Sequence, residues 1–163
     1  MNDPYFDIIV SEPAIPVQVG NVRDEVCVDT GNGHGSTNTR IRRFTNTRKN
    51  VGAAITYADS STLGASFTIN QDGVYGITYT DLRTGGATNF GISVNSSALT
   101  TNVQSLTYAT GLRHMTTTAE SGFRSAVSVQ LTLSAGDVVR PHTDNNADGT
   151  DGTVMFTITK VSN

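Results

Sequence analysis

The chain of 163 residues is poor in the residues that build helices and charged surfaces. It contains two lysines, three glutamates and seven leucines, and it has no tryptophan. Threonine, serine and asparagine together supply 52 residues, and glycine supplies another 16. Because helix formers are scarce while β-branched and turn-forming residues abound, the composition predicts an all-β fold with many turns. The length suits one domain with its own core.

Further absences disfavour whole classes of function. The formal net charge of −3 gives no electrostatic reason to expect nucleic acid as a partner. The single cysteine, Cys27, excludes an intrachain disulfide and a cysteine-based metal cage. No run of about 18 apolar residues occurs, so we expect no membrane insertion. The first residues are acidic and include Pro4, which predicts no secretory signal and folding in a cytoplasm.

The chain carries no recognisable catalytic motif. Its three histidines, His34, His114 and His142, do not stand at metal-ligand spacing from one another. No Gly-x-Ser-x-Gly elbow is present, and Glu25 and Glu120 are isolated carboxylates rather than a pair. We therefore predict that the protein is not an enzyme and has no cofactor, with calcium as the one ion to consider.

Alternation of apolar and polar residues predicts the strands. It is clearest after the Asp72-Gly73 turn, where Tyr75, Ile77 and Tyr79 point one way, and again along Ala126–Leu133. Residues Thr30–Asn38, rich in glycine, are predicted to form a loop. The predicted strands in chain order are Glu25–Val28, Ile41–Thr45, Ala54–Tyr57, Ser66–Asn70, Val74–Thr80, Asn89–Val94, Gln104–Tyr108, Ala126–Leu133, Asp137–Pro141 and Thr153–Lys160. Short strands at intervals of roughly ten residues favour a β-sandwich or jelly roll.

Residues 1–22 differ from the β-domain that we predict at residues 23–163. Three of the four prolines fall there among apolar residues. Proline disfavours helix and central-strand pairing, whereas the apolar content is too high for an ordinary flexible leader. We predict an extended docking arm that lies on another surface, and a strand packed on its own domain is the alternative. The contact residues predicted for the docking arm are Tyr5, Phe6, Ile8 and Ile9.

An acidic, glycine-containing segment runs from Asp144 to Gly152. Asp144, Asn146 and Asp148, followed by Gly149, match the oxygen-ligand half of a calcium loop. The EF-hand version fails, because the position that needs glutamate is Met155 and no helix is predicted on either side. We keep Asp144, Asn146 and Asp148 as candidate calcium ligands, and we favour the alternative of a solvated loop between the last two strands.

The order of several short motifs resembles the jelly-roll head of the C1q and tumour-necrosis-factor superfamily. The resemblance covers residues 40–161 and rests on Phe44, Asn50-Val51-Gly52, Tyr57, the Gly64–Phe67 segment, the Asp72–Ile77 segment, Ile92–Asn95, Leu131–Val139 and Phe156. The chain lacks tryptophan and a collagen repeat, which argues against a secreted animal C1q protein. It is more similar to the heads of this kind in bacteriophage virion proteins, whose Thr/Asn/Gly-rich composition it shares.

This resemblance implies a homotrimer, in which Tyr75, Ile77 and Tyr79 lie either in the core or along the threefold axis. It also implies a virion structural protein of a tailed bacteriophage, assembled in the host cytoplasm and placed on the virion surface. An extended arm of about 20 residues reaches at most about 70 Å. That reach suits clamping onto a capsid better than a shaft, so we expect a capsid decoration or head-fibre protein whose arm binds a capsid or tail protein. The alternative is the receptor-binding tip of a tail fibre or tail spike that recognises a host surface glycan or protein.

Overall fold

The computed structural model describes residues 23–107, 112–119 and 122–162. Within these ranges, ten strands form two antiparallel sheets. Sheet 1 has the order β2-β1-β10-β5-β8, and sheet 2 has the order β3-β4-β9-β6-β7. The strands are β1 (Glu25–His34), β2 (Arg42–Val51), β3 (Ile55–Ser60), β4 (Gly64–Ile69), β5 (Gly73–Leu82), β6 (Thr88–Val94), β7 (Leu112–Ala119), β8 (Arg124–Leu133), β9 (Val138–Thr143) and β10 (Met155–Ser162). The predicted all-β jelly-roll sandwich is confirmed.

The core lies between the two sheets because the apolar positions of neighbouring strands fall in register. In sheet 1, Val28, Phe156 and Tyr79 stand directly opposite one another on β1, β10 and β5. Phe156 reaches across to sheet 2, where its ring centroid lies 4.5 Å from that of Phe67. Successive side chains of a strand point to opposite faces. The residues between these core positions therefore form the outer face of sheet 1.

The predicted loop at Thr30–Asn38 is wrong in its first half, since β1 continues to His34. Gly31 pairs with Phe44 and His34 pairs with Arg42, and the register shifts between these two pairs. Such a bulge lets a strand absorb extra residues without losing its partner. The left-handed φ of +67° at Gly33 supplies the backbone conformation that a bulge requires.

The segment around residue 104 is also different from our prediction. Residues Val103–Ser105 form a 3₁₀ helix rather than the start of a strand at Gln104–Tyr108. Val103 and Leu106 are buried, because residues 95–107 lie over the outer face of sheet 2. We call residues 95–107 the covering loop. The strand that follows, β7, was not predicted, since its sequence LRHMTTTA lacks regular alternation.

Candidate subunit interface

The outer face of sheet 1 is a continuous surface of small, uncharged residues on β10, β5 and β8. Register across these strands places Thr157, Thr78 and Ser128 in one row, and Cys27 of β1 extends this row. All of these side chains are exposed or half-buried. We call this surface the neutral face, and its members are Val74, Gly76, Thr78, Thr80, Ala126, Ser128, Gln130, Thr132, Met155, Thr157 and Thr159.

Hydroxyl groups of the neutral face bond to neighbours on adjacent strands. The Oγ1 atom of Thr78 lies 3.2 Å from Oγ of Ser128, and the hydroxyl of Thr157 donates to Sγ of Cys27 at 3.4 Å. A polar group that already has a protein partner loses less when water is removed from it. Covering these three hydroxyl groups with another protein surface therefore costs less than covering unpaired ones.

Charged residues lie at the borders of the neutral face and are paired there. Lys49 donates to Glu25 at 2.8 Å on the β1–β2 side. Arg124, at the start of β8, donates to Asp151. A neutral centre with a charged rim is the usual composition of a subunit interface. The arrangement suits packing against a second copy of the chain.

Tyr75, Ile77 and Tyr79, the candidates for core or threefold axis, lie in the core between the sheets. Their exposures are 0%, 1% and 0%. The hydroxyl of Tyr75 donates to the carbonyl of Gln71 at 2.6 Å. Because these side chains are enclosed within one subunit, they have no surface left to line a threefold axis. The residues that point outward from the same strand are Val74, Gly76, Thr78 and Thr80.

A buried ion pair, which the sequence did not predict, joins β2 and β5 of sheet 1. Arg42 and Asp81 are both fully buried, and Nε of Arg42 donates to Oδ2 of Asp81 at 2.8 Å. Arg42 also donates to the carbonyls of Gly33 and Gly149. Asp81 accepts further hydrogen bonds from the Tyr79 hydroxyl at 2.5 Å and from its neighbour's backbone N–H. The pair therefore ties the β1 bulge and the Asp144–Gly152 loop to sheet 1.

Two glycines make room for this ion pair. A side chain at Gly31 would place its Cβ 2.2 Å from a guanidinium nitrogen of Arg42, and one at Gly149 would meet the side chain of Val154 at 2.4 Å. Burial lowers the pKa of Arg42, but the charges and hydrogen bonds of Asp81 and Tyr79 together outweigh burial and the net shift is upward. Burial, followed by the charge of Asp81, raises the pKa of Tyr79 well above its ordinary value. The network therefore holds a charged arginine and a neutral tyrosine at ordinary pH.

The carboxylates among the candidate calcium ligands accept hydrogen bonds from different parts of the chain. Asp144 is buried, and its carboxylate accepts hydrogen bonds from the Thr88 hydroxyl at 2.7 Å and the Asn89 N–H at 2.8 Å. Asp148 accepts from the backbone N–H of Thr84 at 2.7 Å. Asn146 contributes its own N–H to Asp144 at 2.9 Å. Within the described ranges, no three His, Cys, Asp or Glu side chains form a group that suits a metal ion.

Hydrogen bonding also sets the ionisation of Asp144. Burial alone raises the pKa of this carboxyl group, but the bonds from Asn89, Thr88 and Asn146 outweigh burial and hold the pKa below its ordinary value. A carboxylate that accepts several hydrogen bonds is stabilised in its charged form without a cation. Through these hydrogen bonds, Asp144 fixes the loop after β9 to the start of β6.

We expect Asp144→Ala to lower the free energy of unfolding by about 2–3 kcal/mol, because the buried donors of Thr88 and Asn89 lose their acceptor. Asp148 is exposed, so Asp148→Ala should cost about 1 kcal/mol. Urea unfolding in calcium and in chelator measures both losses. A loss that appears in calcium but disappears in chelator would show instead that the carboxylates hold the ion.

His142 is fully buried beneath the covering loop. Its Nε2–H donates to the carbonyl of Thr101 at 2.8 Å, so Nδ1 accepts from the hydroxyl of Ser93 at 3.0 Å. Burial lowers the pKa of His142 from 6.5 to about 4; the bond to Thr101 opposes this shift, and the nearby charges of Arg140 and Arg40 add to it. The imidazole is therefore neutral at ordinary pH.

This shift predicts that acid weakens the domain. In the unfolded chain His142 takes up a proton near its ordinary pKa of 6.5, whereas in the folded protein it does so near 4. Its contribution to stability is therefore complete above pH 6.5 and is lost as the pH falls toward 4. We expect His142 to account for a loss of about 2 kcal/mol between about pH 7.5 and about pH 5, and His34, whose pKa burial also lowers to about 4, to add to this loss. Urea unfolding at the two pH values measures it, and His142→Gln should reduce the loss. An equal loss in the variant would contradict the assignment to His142.

The predicted docking arm, including Tyr5, Phe6, Ile8 and Ile9, lies outside the described residues. Asp24, the second described residue, accepts at its backbone carbonyl a hydrogen bond from the N–H of Lys160 at 2.9 Å. Its carboxylate also accepts from the N–H of Ala54 at 3.2 Å. In the ranges described, no helix has the length and apolar character needed to span a bilayer.

Comparisons with known proteins support the fold. No protein-family model matches the chain, and a search of curated proteins finds no match. Two crystal structures of murine APRIL, at pH 8.0 and pH 8.5, each superpose with a TM-score of 0.59 at 8% sequence identity. Each alignment covers 85% of this chain and 99% of the other chain. The domain therefore has a tumour-necrosis-factor-like jelly-roll fold, and the low identity limits the likeness to the fold.

Proposed function

We propose that this protein is a homotrimeric, non-enzymatic structural module on the surface of a tailed bacteriophage virion. It is of the capsid-decoration or head-fibre type, and its docking arm, residues 1–22, binds a capsid or tail protein. The observation that carries the proposal is the neutral face on the outside of a tumour-necrosis-factor-like sandwich. The heads that this sequence resembles are normally trimeric.

The neutral face carries no charge over eleven residues of three neighbouring strands. It spans β10, β5 and β8, and none of its members is Asp, Glu, Lys or Arg. The solvated face of a monomeric sheet normally carries charges that keep it soluble and unpaired. Removal of this face from water in a trimer accounts for their absence.

The edge strand β8 adds apolar area beside the neutral face. Val127, Val129 and Leu131 point toward the core but are only partly buried, because they lie at the margin of sheet 1. Apolar area removed from water stabilises an assembly by roughly 25 cal/mol per Å². A neighbouring subunit that packs its neutral face along β8 would cover this margin as well.

The proposed place on a virion is supported by composition. The chain has 52 threonine, serine and asparagine residues among 163. The phage fibre and decoration proteins that it resembles are also rich in such residues. Immunogold labelling of particles purified from cells that encode the chain tests the location. Label on the capsid is expected. Label confined to tail tips would favour receptor binding instead, and unlabelled particles would contradict a virion role.

A charge in the middle of the neutral face should prevent assembly. Thr78 lies in the central row on an interior strand and is half-buried. We expect Thr78→Lys to weaken subunit association at least about 10-fold, because three ammonium groups would have to be desolvated in one trimer. Sedimentation equilibrium of the variant measures the change.

Thr68→Lys provides the matched control. Thr68 is also a half-buried threonine on an interior strand, but it points outward from sheet 2. The Thr68→Lys variant should therefore have the same oligomeric state as the wild-type protein. If both variants assemble as the wild type does, or if both fail equally, the neutral face is not the interface.

A further inference from the structure

Arg140 lies on the outer face of sheet 2, at the margin of the covering loop. On β9 it stands two residues before His142, so the two side chains share this face. Arg140 pairs in register with Ser93 of β6. It is half-buried, and burial lowers the pKa of its guanidinium group.

A second arginine, Arg40, lies on the other side of His142. The backbone carbonyl of Arg40 accepts from the N–H of Thr143 on β9 at 2.8 Å. Its Nε donates to the side-chain carbonyl of Asn102 at 2.6 Å, next to the Thr101 carbonyl that His142 contacts. Arg140 stands two residues before His142 on β9, and Arg40 bonds the backbone of Thr143, the residue after His142, so both arginines lie beside this histidine.

Neither of these arginines has a carboxylate partner in the described part of the chain. Arg140 makes no ion pair or hydrogen bond there, and Arg40 bonds only neutral groups. Four other arginines of the domain are neutralised by aspartates: Arg42, Arg43, Arg48 and Arg124. A half-buried guanidinium without a counter-charge retains donors in a fork that fits an oxyanion.

The surroundings of Arg140 favour a sugar-borne anion over a dense polyanion. Ser66 and Thr68 of β4, next to β9 in sheet 2, are half-buried residues that point outward on the same face. Hydroxyl groups of this kind suit the hydroxyls of a sugar. The net charge of −3 opposes a nucleic acid, whose closely spaced phosphates require a larger basic surface.

We infer that the surface around Arg140 and Arg40 binds the carboxylate or sulfate group of an acidic glycan. Arg140 supplies the principal contact, since its guanidinium has no other partner among the described residues. Arg40 adds a second positive charge while it also holds the covering loop through Asn102. This inference does not rest on the virion role or on the trimer, because every contact that it uses lies within one subunit.

The test measures binding of three size-defined oligosaccharides by calorimetry: oligogalacturonate, sulfated dextran and neutral dextran. At about 0.15 M salt, the wild-type protein should bind at least one acidic oligosaccharide and not the neutral one. Comparison of the two acidic probes identifies carboxylate or sulfate as the group recognised. Arg140→Gln should weaken this binding about 10-fold, the loss expected for one charge-assisted contact.

Arg83→Gln is the matched control, since Arg83 is also half-buried and without a carboxylate partner among the described residues. It should change the affinity by less than about 2-fold, because Arg83 lies outside this surface. Arg40→Gln also removes the hydrogen bond to Asn102, so the melting temperature of this variant is measured alongside its affinity. Absence of binding to both acidic probes, or equal weakening by Arg83→Gln and Arg140→Gln, would overturn the inference. The trimer would stand in either case.

Discussion

Asp81→Asn should lower the free energy of unfolding by about 3–5 kcal/mol, the usual cost of removing one partner of a buried ion pair. The guanidinium of Arg42 would then remain in the core without a counter-charge. Three other contacts depend on the same site: the Tyr79 hydroxyl loses its charged acceptor, and the carbonyls of Gly33 and Gly149 depend on the position of Arg42. Urea unfolding at a fixed protein concentration measures the change.

Asp151→Asn is the control, because Asp151 also pairs with an arginine but at the surface. Its side chain is 48% exposed and that of Arg124 is 47% exposed. This variant should cost only about 0–1 kcal/mol, since the charges of a solvent-exposed pair are screened by water. If Asp81→Asn cost no more than Asp151→Asn, the buried pair would not hold the β1 bulge and the Asp144–Gly152 loop in place.

Phe156→Ala should also lower the free energy of unfolding by about 3–5 kcal/mol, as large-to-small substitutions of core aromatic residues do. Phe156 has no exposed surface. Its ring lies 4.5 Å from Phe67, 5.6 Å from Tyr79 and 6.4 Å from Phe44, so it links the two sheets. The same unfolding experiment measures this loss.

Phe123→Ala is the matched control for the core substitution. Phe123 is 69% exposed, so its removal should change the free energy of unfolding by less than about 0.5 kcal/mol. Near-equal effects of Phe123→Ala and Phe156→Ala would contradict the placement of the core between the two sheets.

The parts of the fold that could be predicted are those where the chain alternates strictly. Along β5 and β8, core and outer positions follow directly from period two, and the structure places Tyr79 inside and Thr78 outside accordingly. The neutral face was readable in the same way, since its members are the polar partners of these core residues.

The rest depends on contacts between residues that are far apart in sequence. Arg42 reads as a surface residue in a basic cluster, and nothing local indicates that Asp81, 39 positions later, lies beside it. The glycine-rich end of β1 reads as a loop, but pairing with β2 keeps it extended. Residues 103–105 leave the extended conformation because Val103 is buried against sheet 2. The local sequence contains no signal that predicts this burial.

The mass of the wild-type protein in solution tests the central claim most directly. We predict a homotrimer, three copies of the 17.2 kDa chain, that persists at micromolar concentration. Native mass spectrometry or light scattering should give about 52 kDa, three times the mass of the chain. A stable monomer of 17.2 kDa under the same conditions would contradict the account, because the neutral face would then be exposed to water.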